Sequence, residues 1–158
     1  MLITAFSALL AFAPAHASAP SPETMPVQER LEADARTFSA HVTALSAASE
    51  TIRSGPPMMF RAMLVDCQAH VWELGHLILS LEDALPSDVP YEESIQGRLL
   101  SEVFALNGHL EQAQRADSAD WAASIADVMQ GTQQVYALSQ TMLDATGLGD
   151  TTVVAMAD

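Results

Sequence analysis

The chain has 158 residues, which suits one domain rather than two, and its 20 acidic residues against 6 basic ones give a formal net charge of −14. All the basic residues are arginines, and this shortage of positive charge argues against binding to nucleic acids and to anionic membrane surfaces. Apolar residues make up 49% of the chain, enough for a packed core, while the single cysteine excludes an internal disulfide and a Cys-rich zinc site.

The N-terminal residues 1–17 are predicted to form a cleaved signal peptide. An apolar run over residues 2–13 ends at Pro14, and an Ala-His-Ala triplet ending at Ala17 places small residues where signal peptidases read them. The run is shorter than the roughly 20 apolar residues of a membrane span. We therefore expect cleavage before Ser18 and export as a soluble protein, with a bacterial periplasm as the destination. No Lys or Arg precedes the run, so either the α-amino group alone supplies the positive charge or the true start lies upstream. A retained N-terminal anchor is the alternative to cleavage.

Prolines divide the remaining chain into four helical stretches. After Pro26 they occur only at positions 56, 57, 86 and 90. Proline is costly inside a helix and tolerated in its first turn, and the stretches between are rich in Ala, Leu, Gln, Glu and Met, which favour helix. The spacing predicts helices over about 26–53, 57–85, 90–115 and 118–146.

The first two predicted helices carry apolar seams with heptad spacing. The seam of the first is Leu31, Ala35, Phe38, Val42, Leu45, Ser49 and Ile52. The seam of the second is Phe60, Leu64, Cys67, Val71, Leu74, Ile78, Leu81 and Leu85. Two flanks widen this second seam, Met63, His70, Leu77 and Ala84 on one side and Val65, Trp72 and Leu79 on the other. Trp72 lies off the centre of the seam and is expected either to cover the edge of the bundle or to meet a partner. The second helix is therefore expected to be the most buried of the four.

The third and fourth predicted helices repeat the pattern. Seam residues of the third are Leu99, Val103, Leu106, Leu110 and Ala113, and those of the fourth are Trp121, Ile125, Val128, Thr132, Val135, Ser139 and Met142. Asp117 is predicted to cap the fourth helix at its start, and Gly147 to end it. This helix carries Asp residues and no basic residue, so its outer face is expected either to attract cations or a basic partner or simply to keep the protein in solution.

Matched helix lengths and short connections predict an all-α fold, an antiparallel up-down-up-down four-helix bundle. The predicted organisation is a signal peptide over 1–17, a flexible tether over 18–25, the bundle over 26–147 and a C-terminal tail over 148–158.

Sequence motifs of covalent catalysis are missing from the chain. It contains no Cys-x-x-Cys-His, no His-Glu-x-x-His, no phosphate-binding Gly-rich loop and no Gly-x-Ser-x-Gly. Glu73 and His76 have the Glu-x-x-His spacing of di-metal bundles. The motif occurs once, however, and His76 is predicted to point away from the seam, so we interpret the match as coincidence.

Polar residues near the seams suggest a metal site in the bundle core. Cys67 lies on the second seam with His70 beside it, Glu102 flanks the third seam, and His41 adjoins the first. His41 and His70 lie about midway along their helices, so antiparallel neighbours would bring them to similar height. The candidate ligands His41, Cys67, His70 and Glu102 suit copper, zinc or nickel. Alternatively, each histidine is a half-buried residue bonded to a carboxylate, as the i,i+4 pair Asp66–His70 allows.

The best functional hypothesis from sequence is therefore a non-enzymatic binding role, either toward a protein partner or as a homodimer. The alternative is a periplasmic bundle that binds a transition metal or non-covalent haem. In architecture alone, the predicted bundle resembles the helical periplasmic cytochromes. Their b-type arrangement uses a Met near the start of the first helix, which Met25 could match, and a His near the end of the last helix, but the fourth helix here has no histidine.

Overall fold

The computed structural model describes residues 25–54, 60–85, 88–117 and 119–148. Within these ranges the chain is all-helical, with four α-helices and no strand. The helices are α1 (Val27–Ser54), α2 (Phe60–Ser80), α3 (Ile95–Arg115) and α4 (Trp121–Thr146), and single 3₁₀ turns lie at Glu82–Ala84 and Tyr91–Glu93. The all-α fold class is confirmed. The signal peptide, nearly all of the tether and all but the first residue of the tail lie outside the described residues.

The heptad seams form the core. Every predicted seam residue of α1 and α3 is buried, and so are those of α2 from Phe60 to Leu81. In α4 the seam shifts by one position near the start, where Ser124 is buried and Ile125 half-buried. Leu148, the first residue of the predicted tail, is also buried against the core. Sequence periodicity thus identified most of the apolar interior.

The end of α2 differs from the prediction. The helix ends at Ser80 rather than at residue 85, and a 3₁₀ turn over Glu82–Ala84 follows. In that turn the N–H of Leu85 donates to the carbonyl oxygen of Glu82 at 3.0 Å. Pro86 disfavours helical geometry in the residue before it, so the chain leaves the helix early and Leu85 is only half-buried.

The start of α3 also differs from the prediction, because the helix begins at Ile95 and not near residue 90. Ser94 is its N-cap: the Ser94 hydroxyl oxygen accepts a hydrogen bond from the Gly97 N–H at 3.0 Å. Pro90 has no side-chain acceptor, whereas serine satisfies one of the free N–H groups of the first turn.

Asp117 and Gly147 were predicted to cap the two ends of α4, and the prediction for Asp117 was wrong. The helix begins at Trp121. The Asp117 carboxylate accepts hydrogen bonds from the N–H groups of Ala119 at 2.9 Å and Asp120 at 3.3 Å, so it stabilises the preceding turn instead of capping the helix. Gly147 ends the helix as predicted, with a left-handed φ of 69° that glycine adopts without steric cost.

Each helix packs closely on two others: α1 and α3 each lie against both α2 and α4. The aromatic rings of Phe60 and Trp121, at the starts of α2 and α4, stack with centroids 5.0 Å apart. The Gln96 side chain at the start of α3 donates to the carbonyl oxygen of Ile78 near the end of α2, at 3.3 Å. Within the described residues, no helix has both the length and the apolar character that a membrane span requires.

A chain of side-chain amides joins α2 to α3. The side-chain Nε2 of Gln68 donates to Oδ1 of Asn107 at 3.1 Å, and the side-chain Nε2 of Gln114 donates to Oε1 of Gln68 at 3.1 Å. Asn107 in turn donates to the Glu111 carboxylate at 3.1 Å. These half-buried groups therefore satisfy one another at the edge of the core.

The two flanks of α2 differ in burial, contrary to the prediction that both widen the seam. Met63 and Leu77 on the α1 side are partly buried against the core. Val65, Trp72 and Leu79 on the α3 side keep 58%, 58% and 50% of their surface exposed. Sequence spacing placed this second stripe correctly along the helix and assigned it the wrong environment.

Candidate functional site

Two histidines meet between α1 and α2, as their similar predicted heights suggested. The Nδ1 atoms of His41 and His70 are 2.9 Å apart, a hydrogen bond in which one ring donates its N–H and the other accepts. The ring centroids are 5.1 Å apart with the planes at 62°. Both residues are half-buried. Each ring therefore fixes the orientation of the other, and a neutral imidazole is required on at least one side.

Cys67 lies one turn from His70 and is fully buried in the core. Burial first, and then the nearby Asp66 carboxylate, raise the pKa of its thiol from 9.0 to about 11, against the smaller opposing effect of a backbone hydrogen bond. The thiolate is the form that attacks electrophiles and binds metals. The environment of Cys67 therefore keeps the thiol protonated and unreactive, as expected of a small apolar core residue.

The raised pKa of Cys67 predicts a specific loss of stability in alkali. The native state keeps a proton that the unfolded chain loses above pH 9, so the contribution of this thiol to stability is complete below pH 9 and decreases toward pH 11. The slope should be about 1.4 kcal/mol per pH unit in that window. Urea unfolding of the native chain and of a Cys67→Ala variant at several pH values would measure it. Parallel pH profiles for the two proteins would contradict the prediction.

Glu102 lies elsewhere in the structure. It is half-buried and lines a cleft of about 300 Å³ between α3 and α4, with Arg98 and Leu138 among its neighbours. Among the residues that the structure describes, no three His, Cys, Asp or Glu side chains lie close enough together to hold a metal ion. Of the four predicted ligands, the structure thus brings His41 and His70 together, and it does not assemble a larger cluster around them.

An exposed apolar surface lies along α2 and α3. It consists of Val65, Trp72 and Leu79, spaced seven residues apart on α2, and Phe104 of α3, which is 64% exposed. We name these four residues the α2–α3 face. Isolated exposed apolar side chains are ordinary, but a contiguous exposed apolar patch commonly marks an interaction site.

Trp72 and Phe104 line the same small apolar cavity. Its volume is about 40 Å³, and Val71, Gly75, Val103 and Asn107 complete its walls. A Cβ atom added to Gly75 would meet no atom within 4 Å, so the glycine leaves a depression between the two aromatic rings. The α2–α3 face is therefore not flat and offers a recess for an inserted side chain.

Acidic side chains border a larger open cleft of about 630 Å³ where α3 leads into α4. Glu111, Asp117, Asp120 and Asp127 line it, together with Arg115. Arg115 pairs with Glu111 at 3.1 Å; the Arg115 side chain is largely exposed to solvent, whereas that of Glu111 is half-buried. Of the acidic residues predicted for the fourth helix, Asp117 and Asp120 thus lie in the turn before α4, and Asp127 on α4 borders the same cleft.

Comparison with protein-family models, curated proteins and solved structures finds no match for this chain. Functional inference consequently depends on the geometry of the described residues.

From the sequence, Trp72 alone was interpreted as a residue that either covers the edge of the bundle or meets a partner, and the α2–α3 face as a whole was not identified. Its signal is visible there, because Val65, Trp72 and Leu79 form a second heptad series beside the seam. The spacing does not indicate which flank of α2 is covered, because that depends on where the neighbouring helices lie.

Proposed function

We propose that the chain is an exported, non-enzymatic binding protein that contacts a macromolecular partner through the α2–α3 face. The exposure of Trp72 and Phe104 around a shared apolar recess is the observation that carries the proposal. Tryptophan and other large aromatics contribute most to binding energy when they fill pockets at interface centres. Export is expected from the sequence pattern of residues 1–17.

The proposed scaffold is an antiparallel up-down-up-down bundle. Contacts near opposite helix ends support this arrangement for α2 and α3, since Gln96 at the start of α3 bonds to Ile78 near the end of α2. Stacking of Phe60 on Trp121, at the starts of α2 and α4, supports parallel directions for these two. Each helix also has two close neighbours, as expected in a four-membered ring. Such a scaffold holds the α2–α3 face on two rigid helices.

Site-specific photo-cross-linking in the organism that makes the protein would test the binding role. A photoreactive amino acid at Val65, 58% exposed, is compared with the same group at Val27, 57% exposed on α1. We expect cross-linked adducts from position 65 and few from position 27. Equal labelling at both positions, or none at position 65, would refute binding through this face.

A second candidate function is transition-metal binding at His41 and His70. Two nitrogens bonded tetrahedrally to one Zn²⁺ at about 2.0–2.1 Å lie about 3.3 Å apart, somewhat farther than the observed Nδ1–Nδ1 distance of 2.9 Å. A metal ion could therefore replace the shared proton once both rings turn to direct their Nδ1 lone pairs at it. In this proposal solvent supplies further ligands, and Cys67 and Glu102 remain outside the coordination sphere unless side chains rearrange.

Metal titration distinguishes this candidate from the alternative of a purely structural pair. Zn²⁺, Cu²⁺ and Ni²⁺ are added to the purified chain and to His70→Ala, with His76→Ala as the matched control because His76 is exposed on the same helix. We expect one bound ion that His70→Ala abolishes and His76→Ala preserves. Absorption spectra after haem addition would test the haem alternative in the same samples. Unchanged binding in His70→Ala would exclude this pair as the metal site.

A further inference from the structure

We propose that the partner of the α2–α3 face is a second copy of this chain, related by a two-fold axis near Trp72. This inference rests on the proposed binding role of the face and names its occupant. About this axis, the two α2 helices would pack against each other in an antiparallel arrangement. A two-fold contact of this kind uses the same patch on both subunits, so the patch must complement itself.

The apolar stripe of α2 has this self-complementarity. Val65 and Leu79 lie seven residues before and after Trp72. When two copies of α2 run antiparallel about Trp72, Val65 of one copy faces Leu79 of the other, and the two Trp72 side chains meet at the centre. Small residues also occur symmetrically about the centre, Ala69 three positions before and Gly75 three after. They leave space for indole rings from the opposite copy.

The aromatic residue of α3 fits the same arrangement. Phe104 lines the recess with Trp72, so it lies close to the proposed axis. The two-fold operation then brings Phe104 of both copies near both tryptophans. Four aromatic side chains at the centre of the contact would exclude water from the recess and from one another.

Charge opposes association with a second copy least at this face. Each chain carries a formal net charge of −14, so two copies repel at most orientations. The α3-facing side of α2 has no Asp, Glu or Arg between residues 62 and 80 by helical geometry. Its positions are Val65, Gln68, Ala69, Trp72, Gly75, His76 and Leu79. Arg61 is eleven residues before Trp72, and Glu82, in the 3₁₀ turn after α2, is ten after it, so the antiparallel pairing brings these exposed and oppositely charged residues of the two copies to within about one residue in height.

The exposed area is compatible with a dimer interface. A large aromatic side chain carries about 150–250 Å² of surface, so the exposed parts of Trp72 and Phe104 amount to roughly 250 Å². Val65 and Leu79 are half exposed and add to this. A standard interface buries about 800 Å² on each partner. The four side chains would thus supply only the apolar centre of such an interface, and the surrounding residues, including Arg61 and Glu82 at its ends, would supply the rest.

Sedimentation of the purified chain over a wide concentration range tests the dimer. We expect a monomer–dimer equilibrium whose dissociation constant rises by more than about thirtyfold in Trp72→Gln, as for truncation of a central tryptophan. Tyr136→Gln is the matched control, because Tyr136 is an exposed aromatic on α4. A chain that stays monomeric, or a dimer that Trp72→Gln leaves intact, overturns the inference.

Disulfide trapping tests the antiparallel geometry. Val65→Cys and Leu79→Cys variants are oxidised separately and as a mixture, with Cys67 left in place because its thiol is buried and protonated. We expect cross-linked dimers mainly in the mixture, since the two copies of residue 65 would lie about 21 Å apart along the helix axis. Strong cross-linking of either variant alone indicates parallel helices and overturns the inference. Photo-adducts at Val65 with a different protein, combined with a monomeric purified chain, would refute the dimer while the binding role stands.

Discussion

Replacing Phe38 with alanine should lower the free energy of unfolding by about 3–5 kcal/mol, the range found for deleting buried aromatic side chains. Phe38 is fully buried on the seam of α1. Its loss removes apolar surface from the core and leaves a cavity that rigid helices on both sides can fill only in part. Urea or thermal unfolding followed by far-ultraviolet circular dichroism would measure the change.

The chain offers a control with the same chemistry in a different environment. Phe104 is 64% exposed on α3, so Phe104→Ala should change the free energy of unfolding by no more than about 0.5 kcal/mol. The comparison is made with dilute protein, because association through the α2–α3 face would add to the stability of the native chain. Equal losses for the two variants would mean that the assigned core of α1 is wrong.

Gly97→Ala should destabilise the start of α3 by about 2 kcal/mol or more, through overpacking against rigid backbone. A Cβ atom at this position would overlap the carbonyl oxygen of Tyr91 and approach its carbonyl carbon at 2.9 Å. Backbone cannot move aside as a flexible side chain can. The change should also disturb the hydrogen bond from the Gly97 N–H to Ser94. Hydrogen exchange in the first turn of α3 would detect this, alongside the unfolding measurement.

Gly108→Ala on the same helix is the matched control, because a Cβ at Gly108 would meet nothing within 4 Å. Alanine favours helix over glycine by up to about 1 kcal/mol, so this variant should be more stable than the native chain. A Gly97→Ala protein as stable as Gly108→Ala would show that the 3₁₀ turn at Tyr91–Glu93 does not pack against α3 as described.

Periodicity predicted the four helices and nearly all of the core, because apolar residues at heptad spacing fall on one side of a helix, and that side is the one that is buried. Two helix ends were placed less well. At Leu85 and Ser94, a following proline and a local side-chain cap decide where the helix stops or starts. The sequence analysis placed the helix ends next to the prolines at positions 86 and 90. It could not detect the short 3₁₀ turns beside them, because such turns have no periodic sequence pattern.

The sequence predicted the height of the candidate residues along their helices better than it predicted which side of the helix is buried. Position along a helix can be read from residue number, so the contact between His41 and His70 followed from their similar heights. Which flank of a helix is covered depends on where its neighbours lie, and no single helix encodes that. Glu102 was therefore placed with the histidines although it lines the α3–α4 cleft, and Val65 and Leu79 were placed in a flank that widens the buried seam although they are 58% and 50% exposed.

A heptad seam looks the same after a shift of seven residues, so apolar packing alone leaves several alignments of two helices nearly equal in energy. The side-chain amides of Gln68, Asn107 and Gln114 remove that degeneracy. If α2 slid along α3, these donors and acceptors would lose their hydrogen bonds, which form at only one alignment of the two helices. A single alignment is also what keeps Trp72 beside Phe104. Polar groups that add little to stability would thus decide whether the aromatic surface exists at all.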